Sequence, residues 1–499
     1  MLIGKAVHSA ASPSEKAPQF PPVVKQVIRR GTTDAPRQRG GSQLAGARLW
    51  VWTLTTLAIC VLGGANNTYP VPRGLAEILA ALLLGCVIAS RNSRFEGIRR
   101  SDWLIVAMIA LMLVQFIPLP PAIWSALPGR EVIVQIDRSV FGELTWRPIT
   151  LDIEQSWRSL MFLIPAVTYY IAIRTGDHAR LEAILRGFVI ALLVGAAMAF
   201  LQITSQAWAF PFADGRADNS FAIGFFTNHN HQATFIVMGL MALAGLIALG
   251  RKPRRDRSQW TSLGPRDMIL GALAIIAALL VLLTGSRAGL LLLAIGLPAG
   301  ACAWLAPQLA GSRQLLFPAL GVVALAAIAF LALPFLADGQ LSVIGDRSAL
   351  GDDRRFEIWP QAAATAWHMM PTGSGFGTFR PTYEMFEPLD AVGMLYVNHA
   401  HNDYLQLAIE GGVAAILLIF AFIVAWLTNG WRAWTTMAGR DALLARLGFV
   451  IVLVVMLHSL VDYPARTVTL SMLAATGFAL LVRFSAQSPT RLATPEGAV

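Results

Sequence analysis

Residues 268–306 read MILGALAIIAALLVLLTGSRAGLLLLAIGLPAGACAWLA, two apolar runs separated by the short polar segment TGSRAG. The runs, 268–284 and 289–306, are each long enough to cross a hydrocarbon core that is about 30 Å thick. Runs of similar length recur between Arg48 and Arg483. Only 14% of the 499 residues are charged and 56% are hydrophobic, whereas about 25% are charged in soluble domains. The sequence therefore predicts an all-α polytopic membrane protein.

About twelve spans are predicted by this length criterion. Residues 1–46 are rich in Pro, Ser and Arg without a sustained apolar period, which predicts a disordered cytoplasmic tail. The predicted division is 47–219 for the first membrane helices, 220–470 for a core that includes the loop 337–403, and 471–499 for the end of the last span and a cytoplasmic tail. The predicted spans are 47–65, 74–90, 103–118, 159–174, 187–204, 231–250, 268–284, 289–306, 315–336, 404–427, 447–461 and 467–484.

Arginine-rich segments set the predicted orientation. If the N-terminus is cytoplasmic, they fall on one side of the membrane: 91–100, 251–260 and 431–446. Because Lys and Arg accumulate in cytoplasmic loops, this side is predicted to be the cytoplasm. The alternation places the longer polar segments together on the outer side: 119–158, 205–230 and 337–403. The same rule accounts for the net charge of +10, so nucleic acid is not an expected partner.

Several enzyme classes lack their signatures. Cys60, Cys86 and Cys302 all fall inside apolar runs, which argues against a disulfide framework, a thiolate metal site and a nucleophilic thiol. The chain has no Walker A, HExxH or GxSxG motif. An ATP-driven pump, a metalloprotease of the HExxH kind and a serine hydrolase of the elbow type are therefore not indicated.

The longest outer segment, 337–403, is predicted to fold as a cap. It contains RRFEIWPQAAATAWHMM (354–370), in which four residues recur at helical spacing: Phe356, Trp359, Ala363 and Trp367. PTGSGFGTF (371–379) then supplies turn-forming glycines. We expect an amphipathic helix that lies along the outer membrane face and closes over a cavity between spans.

The cap ends in NHAHNDYLQLAIEGG (398–412), which runs directly into the next span. Histidine is the natural general base near neutral pH, because its unperturbed pKa is about 6.5. His399 and His401 could also bind a metal, but zinc pairs on helices prefer i, i+4 spacing and no third ligand is evident. A third interpretation is a polar cluster that caps the helix, with Asn402 or Asp403 as the capping residue.

Arginines near the outer membrane face form a second group of candidates. Arg287 of TGSRAG lies at the outer end of a span, where a charge usually has a partner or a function. The planar guanidinium suits a phosphate group, although it could also simply reach lipid phosphates. Arg354 and Arg355 precede the cap helix and could form a second phosphate site, or pair with Asp352 or Asp353.

Two weaker signals lie at the outer ends of other spans. GFFTNHNHQATF (224–235) contains Asn228, His229, Asn230 and His231. HSLVDYPART (458–467) contains His458, Asp462 and Arg466. Side chains of these types can bind sugar hydroxyls, but helix capping explains them nearly as well.

Taken in order, these motifs resemble those of the O-antigen ligase/polymerase family of bacterial membrane glycosyltransferases. The order is FTNHNH, SRAG, RFEIW with PTGSGFGTF, HAHNDYLQLAIEGG and HSLVDYP, over about residues 220–470. The resemblance implies an inner-membrane enzyme without a cofactor. Its donor would be a glycan linked through diphosphate to undecaprenol and used on the periplasmic face, with membrane lipid and an acceptor glycan or glycolipid as further partners. The N-terminal tail is not part of this resemblance.

The resemblance also implies roles for individual residues. His401 matches the family's essential histidine, Arg287 its membrane-edge arginine and Arg355 its loop arginine, although the adjacent Arg354 makes that last choice less certain. His401 would take a proton from the acceptor hydroxyl, while the arginines would stabilise the diphosphate that leaves. We expect substrate contacts from Arg354, His399, Asn402, Asp403, Asn228 and His231, and we expect no metal.

Ligases and polymerases share these motifs. The leading interpretation is transfer of a glycan onto lipid A-core, with polymerisation of O-antigen, capsule or exopolysaccharide repeat units as the alternative. An oligosaccharyltransferase that acts on protein is a third possibility. A lipid-linked glycan flippase belongs to another class and would predict charges near the middle of several spans, whereas these spans are nearly free of charge.

Overall fold

The fold is known from a computed structural model of the 499-residue chain. The structure describes residues 37–65, 70–90, 97–205, 222–250, 265–306, 355–389, 391–393 and 396–485. The chain divides into two compact units, Met1–Gly46 and Ala47–Val499. Of the first unit, residues 37–46 are described, and they are helical.

The described residues form helices, apart from two short strands that pair antiparallel, β1 (Pro118–Leu119) and β2 (Arg147–Pro148). The helices of the N-terminal half are α1 (Arg37–Leu62), α2 (Pro70–Ala89), α3 (Trp103–Val114), α4 (Pro121–Trp124), α5 (Glu131–Phe141), α6 (Ile153–Thr175), α7 (His178–Ser205) and α8 (His229–Leu249). Those of the C-terminal half are α9 (Pro265–Leu283), α10 (Arg287–Leu305), α11 (Arg355–Met369), α12 (Phe379–Phe386), α13 (Asp403–Thr435), α14 (Gly439–His458) and α15 (Val468–Ser485).

Eight of the described helices are long and apolar enough to cross a membrane: α2, α6, α7, α8, α10, α13, α14 and α15. The predicted all-α polytopic membrane fold is thereby confirmed. The count of twelve spans is not confirmed. The predicted span 315–336 lies outside the described residues, and α3, which covers the predicted span 103–118, is 12 residues long.

The first helix starts earlier than the sequence predicts. α1 begins at Arg37 and so extends into residues 37–46 of the segment that was expected to be a disordered tail. This extension, RQRGGSQLAG, contains Leu and Ala and several long polar side chains that are good helix formers. Such residues continue a helix once an apolar span has nucleated it, because adding a residue costs far less than starting a new helix.

Three helices form the centre of the bundle. In α8, α14 and α15, 78%, 72% and 78% of the most apolar window is buried inside the protein. α14 packs against α15, α10 and α8, and α15 also packs along α6. The backbones approach closely where small residues meet. A Cβ atom added at Gly448 of α14 would lie 2.3 Å from the carbonyl oxygen of Gly477 in α15. Close approach through small residues is a common mode of helix association in membranes.

Three helices of the bundle begin, and a fourth ends, at the same end of the bundle. α8, α10 and α13 start there and α14 stops there, and side-chain hydrogen bonds join these helix ends to one another. We call this the His401 end, after the residue that precedes the start of α13 by two positions. The helices thereby fix the positions of the short polar loops at the His401 end.

The predicted cap helix is present as α11. Its buried side is formed by Ile358, Ala362 and Ala366, which pack with Tyr383 of α12 and Ala400 of the His401 loop. The predicted pattern does not mark a single face, because Trp359 is half-buried and donates a hydrogen bond to Ala400, whereas the later members of the pattern face outward. Trp367 is 81% exposed, and Ala363 is exposed as well. The small residues face inward because α11 packs closely against α13.

Helix α13 is broken near its N-terminal end. Gly412 has φ 59° and ψ −150°, a conformation that is essentially restricted to glycine. The segment 371–377 supplies the backbone hydrogen bonds that the helix loses there. Gly375 N donates to the carbonyl of Glu410 at 2.9 Å, and Val413 N donates to the carbonyl of Pro371 at 2.9 Å. The cap and the membrane helix are thus joined by their main chains.

Candidate active site

His401 occupies a strained position in the loop before α13. Asn402 caps this helix, because its side-chain oxygen accepts a hydrogen bond from Leu405 N, as one of the sequence interpretations expected. His401 itself has φ 50°, and it is the one residue other than glycine with positive φ among the described residues. This backbone conformation is unfavourable for a residue with a Cβ atom. Strain of this kind is frequent at functional sites, where surrounding contacts hold it in place.

The contact that holds His401 comes from Asp462, which lies 61 residues further along the chain. His401 Nδ1 is 3.2 Å from Asp462 Oδ1, and the backbone N–H of Tyr463 donates to the same oxygen at 3.0 Å. The Asp462 side chain is fully buried, whereas 28% of the His401 side chain is exposed. The carboxylate is therefore a rigid support, and the imidazole is the accessible member of the pair.

The second oxygen of Asp462 is also fully used. Asn230 Nδ2 donates to Oδ2 at 2.9 Å, and Asn228 Nδ2 donates to it at 3.4 Å. His458 Nε2 lies 3.6 Å from the same atom. Burial by itself raises the pKa of Asp462, but the hydrogen bond from His401 and the nearby imidazole of His458 outweigh it and hold the pKa well below its usual range. Asp462 is therefore ionised near neutral pH.

The ionised carboxylate determines which ring nitrogen of His401 carries a proton. A carboxylate only accepts hydrogen bonds, so Nδ1 of the neutral imidazole is the donor in this contact. Nε2 then carries the lone pair. The arrangement leaves Nε2 able to accept a proton, which is the state that a general base requires.

Arg355 reaches the same carboxylate from the cap. Its Nη2 lies 3.9 Å from Asp462 Oδ2, and it is the first residue of α11. Trp359, one turn later, donates from Nε1 to the carbonyl of Ala400 at 3.0 Å. The cap helix is therefore fixed to the residue that precedes His401. Arg354 lies outside the described residues.

Arg287 enters the site through the start of α10. Ser286 caps this helix by accepting a hydrogen bond from Gly289 N, and its hydroxyl donates to Asn230 Oδ1 at 2.7 Å. Asn230 in turn donates to Asp462. Arg287 is the first residue of the helix and is exposed. The positive end of the helix dipole therefore lies beside the chain of contacts that leads to Asp462, and Arg287 is the first residue at that helix end.

Residues 272–420 match the protein family described as O-Antigen ligase. Over this segment the chain is similar to the O-antigen ligase/polymerase family. This match supports a membrane glycosyltransferase-like function in O-antigen processing, with a lipid-linked glycan and an acceptor as the general classes of partner. A comparison with curated proteins gives no match. The matched segment includes His401, Arg287 and Arg355, whereas Asp462 lies beyond it.

Several of the expected substrate-binding side chains are used by the protein itself, including Asn228, which donates to Asp462 and caps α8. Asn402 Nδ2 donates to the carbonyl of Leu460 at 3.0 Å, in addition to its capping bond. Asp403 is buried and accepts hydrogen bonds from Ser459 Oγ and Ala465 N. His231 is also buried, and its Nδ1 lies 2.8 Å from Thr467 Oγ1. These contacts hold the loops of the site in place.

The aromatic ring of Tyr463 is surrounded by histidines. Its centroid is 4.1 Å from that of His399, 5.0 Å from that of His401 and 5.1 Å from that of His231. Burial lowers the pKa of His399 well below its usual value, and the positive charge of Arg466 lowers it further. His399 is therefore neutral near pH 7, and it packs as an aromatic ring beside His401.

The sequence did not identify the centre of the site. Asp462 and Asn230 appeared in it as weak polar signals, and Tyr463, Gln406 and Glu410 were not singled out. The available signal was the order HSLVDYP directly after a span, which places a carboxylate at the outer turn. Among the described residues, no group of three or more His, Cys, Asp or Glu side chains has the arrangement of a metal site.

Proposed function

We propose that this protein is a glycosyltransferase of the O-antigen ligase type. It transfers a glycan from undecaprenyl diphosphate to a sugar hydroxyl of an acceptor, lipid A-core, on the periplasmic face of the inner membrane. The observation that carries the proposal is the convergence of His401 and Arg355 on the buried carboxylate of Asp462. A base and an anion-binding side chain are then held by one rigid group.

His401 acts as the general base. Its Nε2 accepts the proton of the acceptor hydroxyl while the hydroxyl oxygen bonds to the anomeric carbon of the donor. The imidazolium that forms is stabilised by Asp462, which remains ionised. General-base assistance of this kind typically contributes about 10²–10⁴-fold in rate.

Arg287 and Arg355 bind the diphosphate. As the bond between the anomeric carbon and the phosphate oxygen breaks, negative charge grows on the leaving diphosphate. Guanidinium groups bind phosphate oxygens bidentately, and the N-terminus of α10 adds the favourable end of a helix dipole beside Arg287. Electrostatic partners placed in advance for such charge are usually the largest single contribution to a rate enhancement. The scheme uses no metal ion and no covalent intermediate.

The test is deletion of the gene followed by gel analysis of lipopolysaccharide and secreted polysaccharide. We expect bare lipid A-core and accumulated lipid-linked polymer in the deletion strain, and restoration by the wild-type gene. Single repeat units on lipid A-core would assign the protein to the polymerases instead. An unchanged glycan profile, with no accumulated lipid-linked polymer, would contradict the proposal.

His401→Ala separates chemistry from folding in the same strain. We expect this variant to insert and accumulate like the wild type, because 28% of the His401 side chain is exposed, and to restore no polymer transfer. A glycan profile like that of the wild type would remove His401 from the mechanism. The amount of inserted protein, measured by immunoblot of membranes, is the control.

A further inference from the structure

A buried pair of side chains, Gln406 and Glu410, lies one helical turn apart at the start of α13. Gln406 Nε2 donates to Glu410 Oε1 at 3.1 Å. The other end of the amide, Gln406 Oε1, accepts from Ala400 N at 3.2 Å and lies 3.3 Å from His399 Nδ1. Gln406 therefore connects Glu410 to the two residues that directly precede His401.

The orientation of the Gln406 amide is determined by Glu410. A primary amide has a donating end and an accepting end that are nearly equal in shape, so its own packing does not select one orientation. A carboxylate only accepts hydrogen bonds, and it therefore binds the NH₂ end of Gln406. The carbonyl end must then face Ala400 N. The reverse orientation would set Oε1 against the carboxylate of Glu410 and an N–H donor against Ala400 N.

Glu410 itself is fixed at both its side chain and its backbone. The side chain is fully buried, and Arg466 Nη2 donates to Glu410 Oε2 at 2.9 Å. Its carbonyl accepts from Gly375 N and from Gln115 Nε2, at the point where α13 is broken. The carboxylate of Glu410 is thus held in a single position beside the His401 loop. The helix break, the cap segment and the ion pair with Arg466 all contribute to this.

We propose that Glu410 is a positioning residue for the transfer reaction, and that it acts through Gln406 on the loop that holds His401. By fixing the amide of Gln406, it holds Ala400 N and with it the strained backbone of His401. The proposal rests on the proposed function, because it assigns Glu410 to the same reaction. A misplacement of reacting groups by about 1 Å can cost about 10²-fold in rate, so the position of this loop matters.

An exchange of the two side chains tests this proposal. In Glu410→Gln, the oxygen of the new amide accepts from Arg466, so its NH₂ group faces the NH₂ end of Gln406 and the amide of Gln406 must turn or lose its hydrogen bond. We expect kcat to fall about 10- to 100-fold with little change in KM. In Gln406→Glu, two carboxylates face each other, and we expect a similar or larger loss. In the double variant, the carboxylate at position 406 accepts from Ala400 N, and the amide at position 410 donates to that carboxylate. We therefore expect the double variant to recover most of the activity.

A merely structural role predicts a different pattern. If Glu410 contributed only stability, the single variants would lower the melting temperature but keep the wild-type kcat per folded molecule, because residues in contact are coupled in stability whatever their role in the reaction. Asp102→Asn is a matched control, since Asp102 also pairs with a buried arginine, Arg174, through a 2.9 Å contact. Asp102 is not part of the site, so we expect this variant to keep the wild-type kcat per folded molecule.

Hydrogen–deuterium exchange of peptides that cover residues 396–402 gives a readout that needs no activity. We expect exchange at Ala400 N–H to increase several-fold in Glu410→Gln and to return toward the wild-type rate in the double variant. Unchanged exchange in Glu410→Gln, or a double variant no better than either single variant, overturns the proposal. If the wild-type protein transferred no glycan while the exchange pattern was as expected, the proposed function would fail and the control of the loop by Glu410 would stand.

Discussion

Replacing Asp462 by Asn is the most informative single change at the site, because one carboxylate serves several donors there. Oδ1 accepts from His401 Nδ1 and Tyr463 N, while Oδ2 accepts from Asn230 at 2.9 Å. The amide of Asn can satisfy only one of these sets. If its oxygen faces His401, its NH₂ group opposes the donating amide of Asn230. If its NH₂ group faces His401, the imidazole adopts the other tautomer and Nε2 becomes protonated.

The expected loss of rate follows from the contact distances. At the 3.2 Å separation of His401 Nδ1 and Asp462 Oδ1, two unit charges attract by about 5 kcal/mol at an effective dielectric constant near 20. The partial exposure of His401 reduces this, so we take about half, roughly 2–3 kcal/mol, as the lost stabilisation of the imidazolium. Each 1.36 kcal/mol is tenfold in rate, which makes this loss about 10²-fold. The wrong tautomer extends the expected range to about 10⁴-fold.

The assay is single-turnover transfer of glycan from undecaprenyl diphosphate to lipid A-core by protein in lipid nanodiscs. Asp137→Asn is the control, because Asp137 is equally buried and pairs with Arg147 away from His401. We expect Asp137→Asn to retain the wild-type rate per folded molecule. A loss of less than about tenfold in Asp462→Asn, in protein that is folded, would refute the argument that Asp462 supports the base. Additive losses in the double variant with His401→Ala would refute it as well.

Three further predictions follow from the same contacts. Arg287→Lys keeps the charge but loses bidentate binding, so we expect a fall in kcat of about 10²-fold with protein levels unchanged, measured in the same transfer assay; a rate like that of the wild type would remove the bidentate role. His399 is held neutral by a lowered pKa, whereas a histidine in the unfolded chain takes up a proton below about pH 6.5. The free energy of unfolding should therefore decrease as the pH is lowered below about 6.5. His399→Gln should flatten that part of the stability curve in thermal unfolding, and an unaltered curve would contradict the assignment. Gly412→Ala places a Cβ atom 2.1 Å from the carbonyl oxygen of Pro371 and should lower the melting temperature strongly. Gly439→Ala is the control, because Gly439 also has a positive φ of +77° but has no atom within 4 Å of the added Cβ, and it should lower the melting temperature only slightly. Equal losses would show that the close contact is unimportant.

The sequence was sufficient for the helices of the bundle, because length and hydropathy act locally. A run such as 289–306 must satisfy its backbone hydrogen bonds within itself, so it forms a helix wherever it packs. The cap helix was also predictable from its period. The inward face of that helix was not, since α11 buries Ile358 and Ala362 and exposes Trp367. Which face is buried depends on how closely the neighbouring helix approaches, and no local pattern records that distance.

At the site, the sequence by itself determined which kinds of side chain gather at the ends of the spans. Charged and polar groups avoid the hydrocarbon, so their position along the chain already assigns them to the helix ends, as for Arg287 and His401. Only the tertiary structure decided which of them meet. Asp462 lies 61 residues from His401 and outside the segment that matches the family, and packing of α13 against α14 brings the two together. Hydrogen bonds act over about 3 Å, so the pairing that makes His401 a base depends on the folded bundle.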